Sequence, residues 1–323
     1  MLSLTSILLL VSGCGINRPM QAELAENPAL KGSVELQNLA YFPQEADQCG
    51  PASLATMLAS NGIETTPEQL RPQVYIPGRG GSLGIELVAR ARQHGLIVYP
   101  LAAKLEDILL ELDANHPVLV MQNLGFSWFP KWHFAVAIGY DLEQQVILLR
   151  SGPDRRYATD LTLFKKTWDK AGNWAQTILP PTKLPATVTQ SRYMQAASAL
   201  ELTGKLDAAG IAYQSADKRW PDTPMILMGL GNTRYAQQDF ASAARYFRDY
   251  IEHSTDPAPG WNNLAYSLQK LGCNTAAVEA ATCAVAIAPG QANYADSLRE
   301  LSSDSGSLKS LSLCQLPDCL IER

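Results

Sequence analysis

The stretch YFPQEADQCGPASLATML, residues 41–58, decides the fold of the first half of the chain. Pro51 fits the first turn of a helix, where its missing N–H costs nothing. Apolar side chains at helical spacing follow from Leu54 to Leu58, and Gly62 suits the C-terminal end of the helix. The pattern places Cys49 at a helix N-terminus. There the positive end of the helix dipole lowers the pKa of a thiol and favours the nucleophilic thiolate.

A second stretch, KWHFAVAIGYD at residues 131–141, offers a base for that nucleophile. Its apolar run over 134–140 is typical of a buried strand, and His133 lies at the start of the run, where a strand end can open into a cleft. Gln44 precedes Cys49 by five residues. Its side-chain amide could donate a hydrogen bond to a developing oxyanion, together with a backbone N–H at Cys49.

These segments together resemble the bacteriocin-processing, double-glycine cysteine peptidases and their stand-alone relatives. The resemblance runs from about residue 40 to 180 and rests on the upstream glutamine, on QCGPA at the nucleophile and on HFAVAIGYD at the base strand. It implies an α+β papain-like catalytic domain, in which a helix carrying the cysteine packs on an antiparallel sheet carrying the histidine. It further implies Cys49 as nucleophile, His133 as general base and Gln44 as oxyanion donor, and it calls for no cofactor and no metal.

The family's third catalytic position is the one departure from the pattern. The family usually has an Asp, often in Asp-Pro, at the end of the strand after the histidine strand, where it orients the imidazole. Here that strand reads VILLRSGPD at residues 146–154, with Arg150, Ser151 or Gly152 in the expected place. The sequence leaves open whether Ser151, a backbone carbonyl, Asp154 reaching back, or no group at all orients His133.

The second half of the chain contains an internal repeat with a period of 34 residues. Start points at 190, 224 and 258 bring equivalent residues into register, among them Ala209, Ala243 and Ala277. Small residues recur where two helices must touch, and large ones recur on the faces that are buried. The period resembles the tetratricopeptide repeat, which implies an all-α solenoid of three units for binding a protein partner. Residues 292–302 are predicted to form its capping helix.

The N-terminal segment MLSLTSILLLVSG, residues 1–13, is a short apolar core that ends in small residues, as in a secretory signal. The ending LVSGC resembles the bacterial lipoprotein signal, which implies a diacylglyceryl group on Cys14 and cleavage just before it. A lipid with more than one chain holds a protein stably on a membrane. Gly15 follows, and by resemblance to Gram-negative lipoproteins it points to the periplasmic side of the outer membrane.

Four cysteines remain once the lipid site and the nucleophile are assigned. An even number in an oxidising compartment suggests disulfides. In the third repeat Cys273 lies in a turn and Cys283 lies well along a helix, roughly 12 Å away at about 1.5 Å per residue. Because a disulfide needs Cα atoms within about 7 Å, we predict bonds from these two cysteines to Cys314 and Cys319. The alternative is a lone Cys314–Cys319 loop.

Composition limits the remaining possibilities. The chain has 323 residues, which fits two domains. Its net charge of −5 gives no chain-wide basic field for nucleic acid, and no apolar run approaches the roughly 20 residues that span a bilayer. The predicted layout is a signal over 1–13, a tether over 14–36, a peptidase domain over 37–180, a proline-rich linker over 181–189, repeats with a cap over 190–302, and a tail over 303–323.

The sequence thus predicts an exported, lipid-anchored cysteine peptidase that cleaves a peptide or protein substrate. Two alternatives use the same cleft. One is a catalytically inactive peptide-binding scaffold, and the other is an acyltransferase that forms a thioester and passes the acyl group to an amine.

Overall fold

The computed structural model describes residue 24 and residues 26–44, 48–303 and 314–319. Cys14 and the predicted signal segment lie outside the described residues. The N-terminal domain contains an antiparallel sheet of seven strands with helices on both faces. Its strands are β1 Ser33–Glu35, β4 Ile97–Pro100, β5 Val118–Asn123, β6 Trp132–Asp141, β7 Val146–Ser151, β8 Asp154–Asp160 and β9 Ala175–Leu179. A separate hairpin is formed by β2 Tyr75–Ile76 and β3 Gly81–Ser82. The helices are α1 Cys49–Ala59, α2 Pro67–Val74, α3 Gly84–Gln93, α4 Leu105–Asp113 and α5 Leu161–Asp169.

Helix α1 begins at Cys49, as the sequence predicts. Gln48 is its N-cap residue, and every residue from Gly50 to Leu58 is buried. The chain leaves the helix through Gly62, whose φ of +76° is the left-handed conformation that favours glycine. Burial on all sides means that α1 is a central helix of the domain, so Cys49 is anchored on a rigid element.

The sheet order is β4-β9-β5-β6-β7-β8, with β1 pairing with β6 as well. Side chains of β6 alternate between two core layers. Phe134, Val136 and Ile138 pack with the apolar residues of α1, α2 and α3, whereas Ala135 and Ala137 pack with those of α4 and α5. Strand β6 therefore lies in the middle of the domain, and its first residues, including His133, emerge at one end of the sheet.

The predicted tether differs from the structure over its described part. Residues 33–35 form strand β1, which pairs with residues 139–141 of β6. Strands β1 and β6 approach each other closely at Gly139, where an added Cβ would lie 2.3 Å from the Val34 carbonyl oxygen. Leu24 and Leu36 are buried in the core. This part of the chain therefore belongs to the N-terminal domain, because it adds a strand to the sheet beside β6.

The C-terminal region consists of seven helices, which form three consecutive pairs and a final helix. The first helices of the pairs begin at residues 190, 224 and 258, and the second ones at 206, 240 and 274, so both series keep the period of 34 read from the sequence. No helix among the described residues is long and apolar enough to cross a membrane. The helices are α6 Gln190–Leu202, α7 Leu206–Arg219, α8 Pro224–Ala236, α9 Phe240–His253, α10 Ala258–Lys270, α11 Asn274–Ile287 and α12 Ala292–Ser302.

The proline-rich junction between the two regions is held by a buried carboxylate. Glu111, on α4, is fully buried. Its carboxylate accepts hydrogen bonds from the N–H groups of Ala186 (3.1 Å) and Thr187 (2.9 Å) and from the Thr187 hydroxyl (2.8 Å). The His116 ring nitrogen Nδ1 lies 2.8 Å from the same carboxylate. Tyr99 adds a bond from its hydroxyl to the Thr187 carbonyl (3.0 Å). The predicted linker is thus a clamped junction, meaning that these hydrogen bonds fix residues 186 and 187 to the N-terminal domain.

Replacing Glu111 with Ala is expected to lower the free energy of unfolding by about 2–3 kcal/mol, because buried N–H and O–H donors lose a charged acceptor. Urea denaturation of the full chain, followed by circular dichroism, measures the change. Glu143→Ala, an exposed glutamate in the β6–β7 turn, is the matched control and should change little. Equal effects of the two substitutions would show that the clamp does not stabilise the fold.

The C-terminal tail is stapled to the last repeat, as predicted. Disulfides join Cys273 to Cys314 (Cα–Cα 5.5 Å) and Cys283 to Cys319 (Cα–Cα 6.0 Å). The predicted connection of the tail to both repeat cysteines is confirmed, and the lone local loop is wrong. Leu316 packs with these cysteines against the apolar cluster of the last repeat. Arg248 on α9 adds a hydrogen bond to the Gln315 carbonyl (3.0 Å), so the described part of the tail lies against the second and third repeats.

Candidate active site

A cleft of about 630 Å³ opens where the N-terminus of α1 meets the start of β6. Cys49, His133 and Gln44, the three residues singled out from the sequence, all line it. They come from three different segments of the domain, and the sheet and helix α1 bring them together. The other lining residues are Arg79, Gly80, Gly81, Ser82, Leu83, Pro130, Lys131, Trp132, Phe134 and Gly152.

Cys49 is partly buried and is not in a disulfide. As the first residue of α1 it lies at the positive end of the helix dipole. A thiol in that position has a lowered pKa, and a lowered pKa increases the fraction of thiolate near neutral pH. Cys49 is therefore in a position that suits a nucleophile.

The residue after the cysteine closes one wall of the cleft. An added Cβ at Gly50 would lie 2.4 Å from Ser82 Oγ and 2.6 Å from Ser82 Cβ. Only glycine lets strand β3 approach the N-terminus of α1 so closely. Residues 77–79 form a short 3-10 turn, and Gly81 and Ser82 form strand β3. The sequence did not predict this wall of the cleft. Gly50 is the residue that could have indicated it, because only a glycine there leaves room for Ser82.

His133 is held by a neighbouring strand. Its Nε2 lies 2.8 Å from the Ser151 hydroxyl oxygen, at the end of β7. That contact occupies Nε2, so Nδ1 is the ring nitrogen left to exchange a proton with a thiol. Of the open choices for the orienting group, Ser151 is the one in contact with the imidazole. A serine hydroxyl can both donate and accept, so it orients the ring without adding the negative charge that a carboxylate would supply.

The environment of His133 favours a neutral imidazole. Burial and, to a smaller extent, the nearby positive charge of Lys131 together lower its pKa to about 4. Both effects disfavour the charged ring, and the Ser151 hydroxyl does not offset them with a charge. His133 is therefore unprotonated near neutral pH and able to accept a proton.

Replacing Ser151 with Asp is expected to raise the pKa of His133 by one to three units, on the order of the effect of an adjacent opposite charge. NMR titration of the imidazole in a Cys49→Ala background measures it without interference from the thiol. Ser151→Ala is the control, because it removes the contact without adding charge, and it should leave the pKa low. An unchanged pKa in the Asp variant would mean that Ser151 does not face the ring in solution.

Gln44 is fixed by the turn that follows β7. Its side-chain Oε1 accepts a hydrogen bond from the Gly152 N–H (2.9 Å), and its backbone N–H donates to the Gly152 carbonyl (3.0 Å). With Oε1 occupied, the Nε2 group turns toward α1. It donates to Ser53 Oγ at 3.2 Å and to the Phe134 carbonyl at 3.4 Å. These two bonds are long, so the amide can exchange one of them for a stronger acceptor in the cleft.

The two other residues considered for the third position have different surroundings. Asp154 is the exposed first residue of β8 and pairs with Ser151 across the hairpin, so it is not part of the preceding strand as the sequence suggested. Arg150 is buried, donates to the carbonyls of Leu39 (3.3 Å) and Arg155, and lies over the Tyr41 ring. Arg150 therefore supports the segment that leads to Gln44.

Comparison with known proteins gives a family match for the N-terminal domain. Residues 36–176 match the Peptidase_C39 like family. The matched range contains helix α1, strands β2 to β8 and every residue that lines the cleft, and it supports a cysteine peptidase-like domain. The resemblance read from the motifs is confirmed at this level.

Two solved structures are similar to parts of the chain. One is a crystal structure of a protein assigned as a C39-like peptidase from Bacillus anthracis, which is 18% identical with a TM-score of 0.40 and covers 46% of this chain and 98% of that one. The other is the first TPR of Spaghetti (RPAP3) bound to the HSP90 peptide SRMEEVD, which is 14% identical with a TM-score of 0.34 and covers 35% of this chain and 90% of that one. No curated protein matches the chain.

Proposed function

We propose that the protein is an exported, lipid-anchored cysteine peptidase that uses Cys49 and His133. The observation that carries the proposal is the shared cleft. A cysteine at a helix N-terminus, a neutral histidine oriented through Nε2, and a side-chain amide fixed by the backbone all line it. These are the nucleophile, the base and the oxyanion donor that acyl transfer needs.

The first half of the reaction forms an acyl-enzyme. His133 takes the thiol proton while the Cys49 sulfur attacks the scissile carbonyl carbon, so a carbon–sulfur bond forms and the oxygen becomes an oxyanion. The Gln44 amide and a backbone N–H at Cys49 stabilise that charge. The tetrahedral intermediate then collapses, the carbon–nitrogen bond breaks, and the imidazolium gives its proton to the leaving amine.

The second half releases the acyl group. His133 takes a proton from water, and the resulting hydroxide equivalent attacks the thioester carbon. The carbon–sulfur bond then breaks, and the thiolate recovers a proton from His133. The imidazolium forms together with the oxyanion in both halves. Because the group that contacts His133 Nε2 is the Ser151 hydroxyl, Ser151 acts as a positioning residue that keeps the ring aligned.

A specific observation favours one rival. The group that contacts His133 is a neutral hydroxyl and not a carboxylate, as would suit a cleft that binds peptides without cleaving them. Two measurements separate the possibilities. A thiol-reactive activity probe should label Cys49 in the wild type, and a comparison of proteome peptide termini between wild type and Cys49→Ala should show cleavages that disappear in the variant. Absence of both signals would favour the binding scaffold.

The proposed location rests on the N-terminal motif alone. Mature protein should begin at a lipidated Cys14 and should fractionate with outer membranes. Replacing Cys14 with Ser is expected to prevent lipidation and cleavage at this residue, which mass spectrometry of the N-terminal peptide measures. Normal processing in the Cys14→Ser protein would contradict the lipoprotein assignment and leave the peptidase proposal untouched.

The seven-helix region is proposed to bind a protein partner and so to bring substrate or regulator to the cleft. Its support is the 34-residue repeat, together with the clamped junction at Glu111, which joins the stack firmly to the peptidase-like domain. A partner bound to the helical stack would therefore keep a fixed orientation relative to Cys49.

A further inference from the structure

The exposed apolar side chains of the described residues are concentrated in one short segment. Five of the eleven exposed large hydrophobic residues lie within residues 124–132, which connect β5 to β6. We call this segment the aromatic tip. Scattered exposed apolar residues are normal, but a cluster indicates an interaction surface. The five are Leu124 (48% exposed), Phe126 (65%), Trp128 (81%), Phe129 (70%) and Trp132 (53%).

The aromatic tip is held in one conformation by its own backbone. Asn123 Oδ1 accepts the N–H groups of Gly125 and Lys131, both at 2.9 Å. The N–H groups of Phe126 and Phe129 bond to each other's carbonyls at 3.1 and 3.2 Å. An added Cβ at Gly125 would lie 2.4 Å from the Phe129 carbonyl oxygen. The turn therefore holds its rings out into solvent and does not fold them back onto the core.

The rings at the end of the tip lie outside the catalytic cleft. Pro130, Lys131 and Trp132 line the cleft, whereas Phe126, Trp128 and Phe129 do not. The Phe126 and Trp128 rings stack on each other with centroids 5.6 Å apart. These three rings form a projecting surface beside the entrance, so a substrate lying in the cleft would leave them exposed.

Lysines contribute positive charge at the aromatic tip, and the carboxylate of Asp169 on α5 is paired with Lys165 (2.8 Å). Lys131 is the only charged residue in the stretch from 122 to 134. Lys170, an exposed residue at the end of α5, donates a hydrogen bond from Nζ to the Gly125 carbonyl at 3.2 Å. Lys166, also exposed, lies one turn earlier on the same helix. Exposed Trp and Phe rings with lysines beside them match the interface of an anionic bilayer, where rings enter the headgroup region and ammonium groups meet phosphates.

We propose that the aromatic tip inserts into the headgroup region of a bilayer containing anionic phospholipid. The partner is the lipid surface itself, recognised by its apolar-to-polar boundary and its negative charge. Because the tip continues directly into His133 on β6, insertion would place the cleft entrance at the membrane surface. This contact is independent of a lipid on Cys14 and of peptide cleavage.

The test uses the full-length chain carrying Cys14→Ser, so that lipidation makes no contribution. Flotation with vesicles of equal parts phosphatidylglycerol and phosphatidylcholine measures binding, and quenching of tryptophan fluorescence by brominated lipid reports insertion. The combined Phe126→Ser, Trp128→Ser and Phe129→Ser variant should bind at least about tenfold more weakly, since it loses the inserted area. Lys166→Gln and Lys170→Gln should each weaken binding about fivefold at low salt. Leu202→Ser, which removes an 85% exposed apolar residue from the repeats, is the matched control.

The apolar N-terminal segment is the same in every variant. A difference in binding or quenching between variants therefore comes from the substituted residues. Trp128→Phe should lose most of the lipid-dependent quenching and still bind. The proposal is overturned if the triple variant floats and is quenched like the Leu202→Ser control, or if vesicles of phosphatidylcholine alone bind equally well. It is also overturned if the triple variant loses peptide cleavage while its vesicle binding is unchanged. That result would assign the rings to substrate binding.

Discussion

Replacing His133 with Ala is expected to reduce peptide cleavage by about 100- to 10,000-fold, the range that a positioned general acid–base contributes. The same substitution should slow alkylation of Cys49 by iodoacetamide. The reason is the geometry of the imidazole. Its Nε2 is bound to Ser151, its pKa of about 4 keeps it neutral, and Nδ1 remains to take the thiol proton. Initial rates of peptide cleavage, with alkylation followed by mass spectrometry, measure both effects.

The matched control for this experiment is His253→Ala, because His253 lies on helix α9 of the repeats and is outside the cleft. It should leave both rates unchanged. The pH dependence adds a second readout. With a His133 pKa of about 4, the base is lost only as pH falls toward that value, so the alkylation rate of the wild type should exceed that of His133→Ala throughout the range from pH 6 to 8. Equal alkylation rates in the two proteins would remove His133 from the mechanism.

The parts of the structure that the sequence predicted are those governed by local patterns. Helix α1 could be placed because Pro51 and Gly62 mark its two ends within a few residues of Cys49. The repeat helices could be placed because a period of 34 residues recurs in one segment of chain. Such features depend on neighbours in sequence, and a pattern of residue types is enough to reveal them.

The orienting residue could not be chosen from the sequence because strand register decides it. Strand β7 pairs with β6 through a register shift between Ala137 and Gly139, and with β8 through another between Leu149 and Ser151. A shift of one residue moves every following side chain to the other face of a sheet. Whether Arg150 or Ser151 meets the imidazole therefore depends on the β6–β7 register, whose shift the alternation of apolar residues does not show.

The junction between the two regions was misjudged for a related reason. Three prolines between residues 180 and 185 have the composition of a flexible linker. The contact that fixes it comes from Glu111, which is 76 residues away from Thr187. A glutamate within an amphipathic helix has the same sequence pattern whether it faces water or a backbone N–H. Long-range partners of this kind appear only when the tertiary packing is known.

Replacing Gln44 with Ala is expected to lower turnover by about 100- to 1,000-fold, the cost of losing one oxyanion donor. Because Gln44 also bonds to Gly152 through its side chain, a loss of activity in this variant alone could reflect a displaced turn. Gln44→Glu separates the two roles. Its carboxylate has nearly the same shape and can still accept the Gly152 N–H, but it cannot donate to an oxyanion and it adds a repelling negative charge.

The Glu variant keeps the bond from the Gly152 N–H but loses the donors to Ser53 Oγ and to the Phe134 carbonyl. It should therefore retain more of the wild-type thermal unfolding midpoint than the Ala variant does, while losing at least as much turnover. The loss should appear in kcat more than in KM, since the oxyanion is present only after attack by Cys49. Single-turnover kinetics with a chromogenic peptide, together with thermal unfolding, make the comparison. If Gln44→Glu retained turnover within threefold of the wild type, Gln44 would be a structural support for the β7–β8 turn, and the oxyanion would have to be stabilised by backbone N–H groups alone.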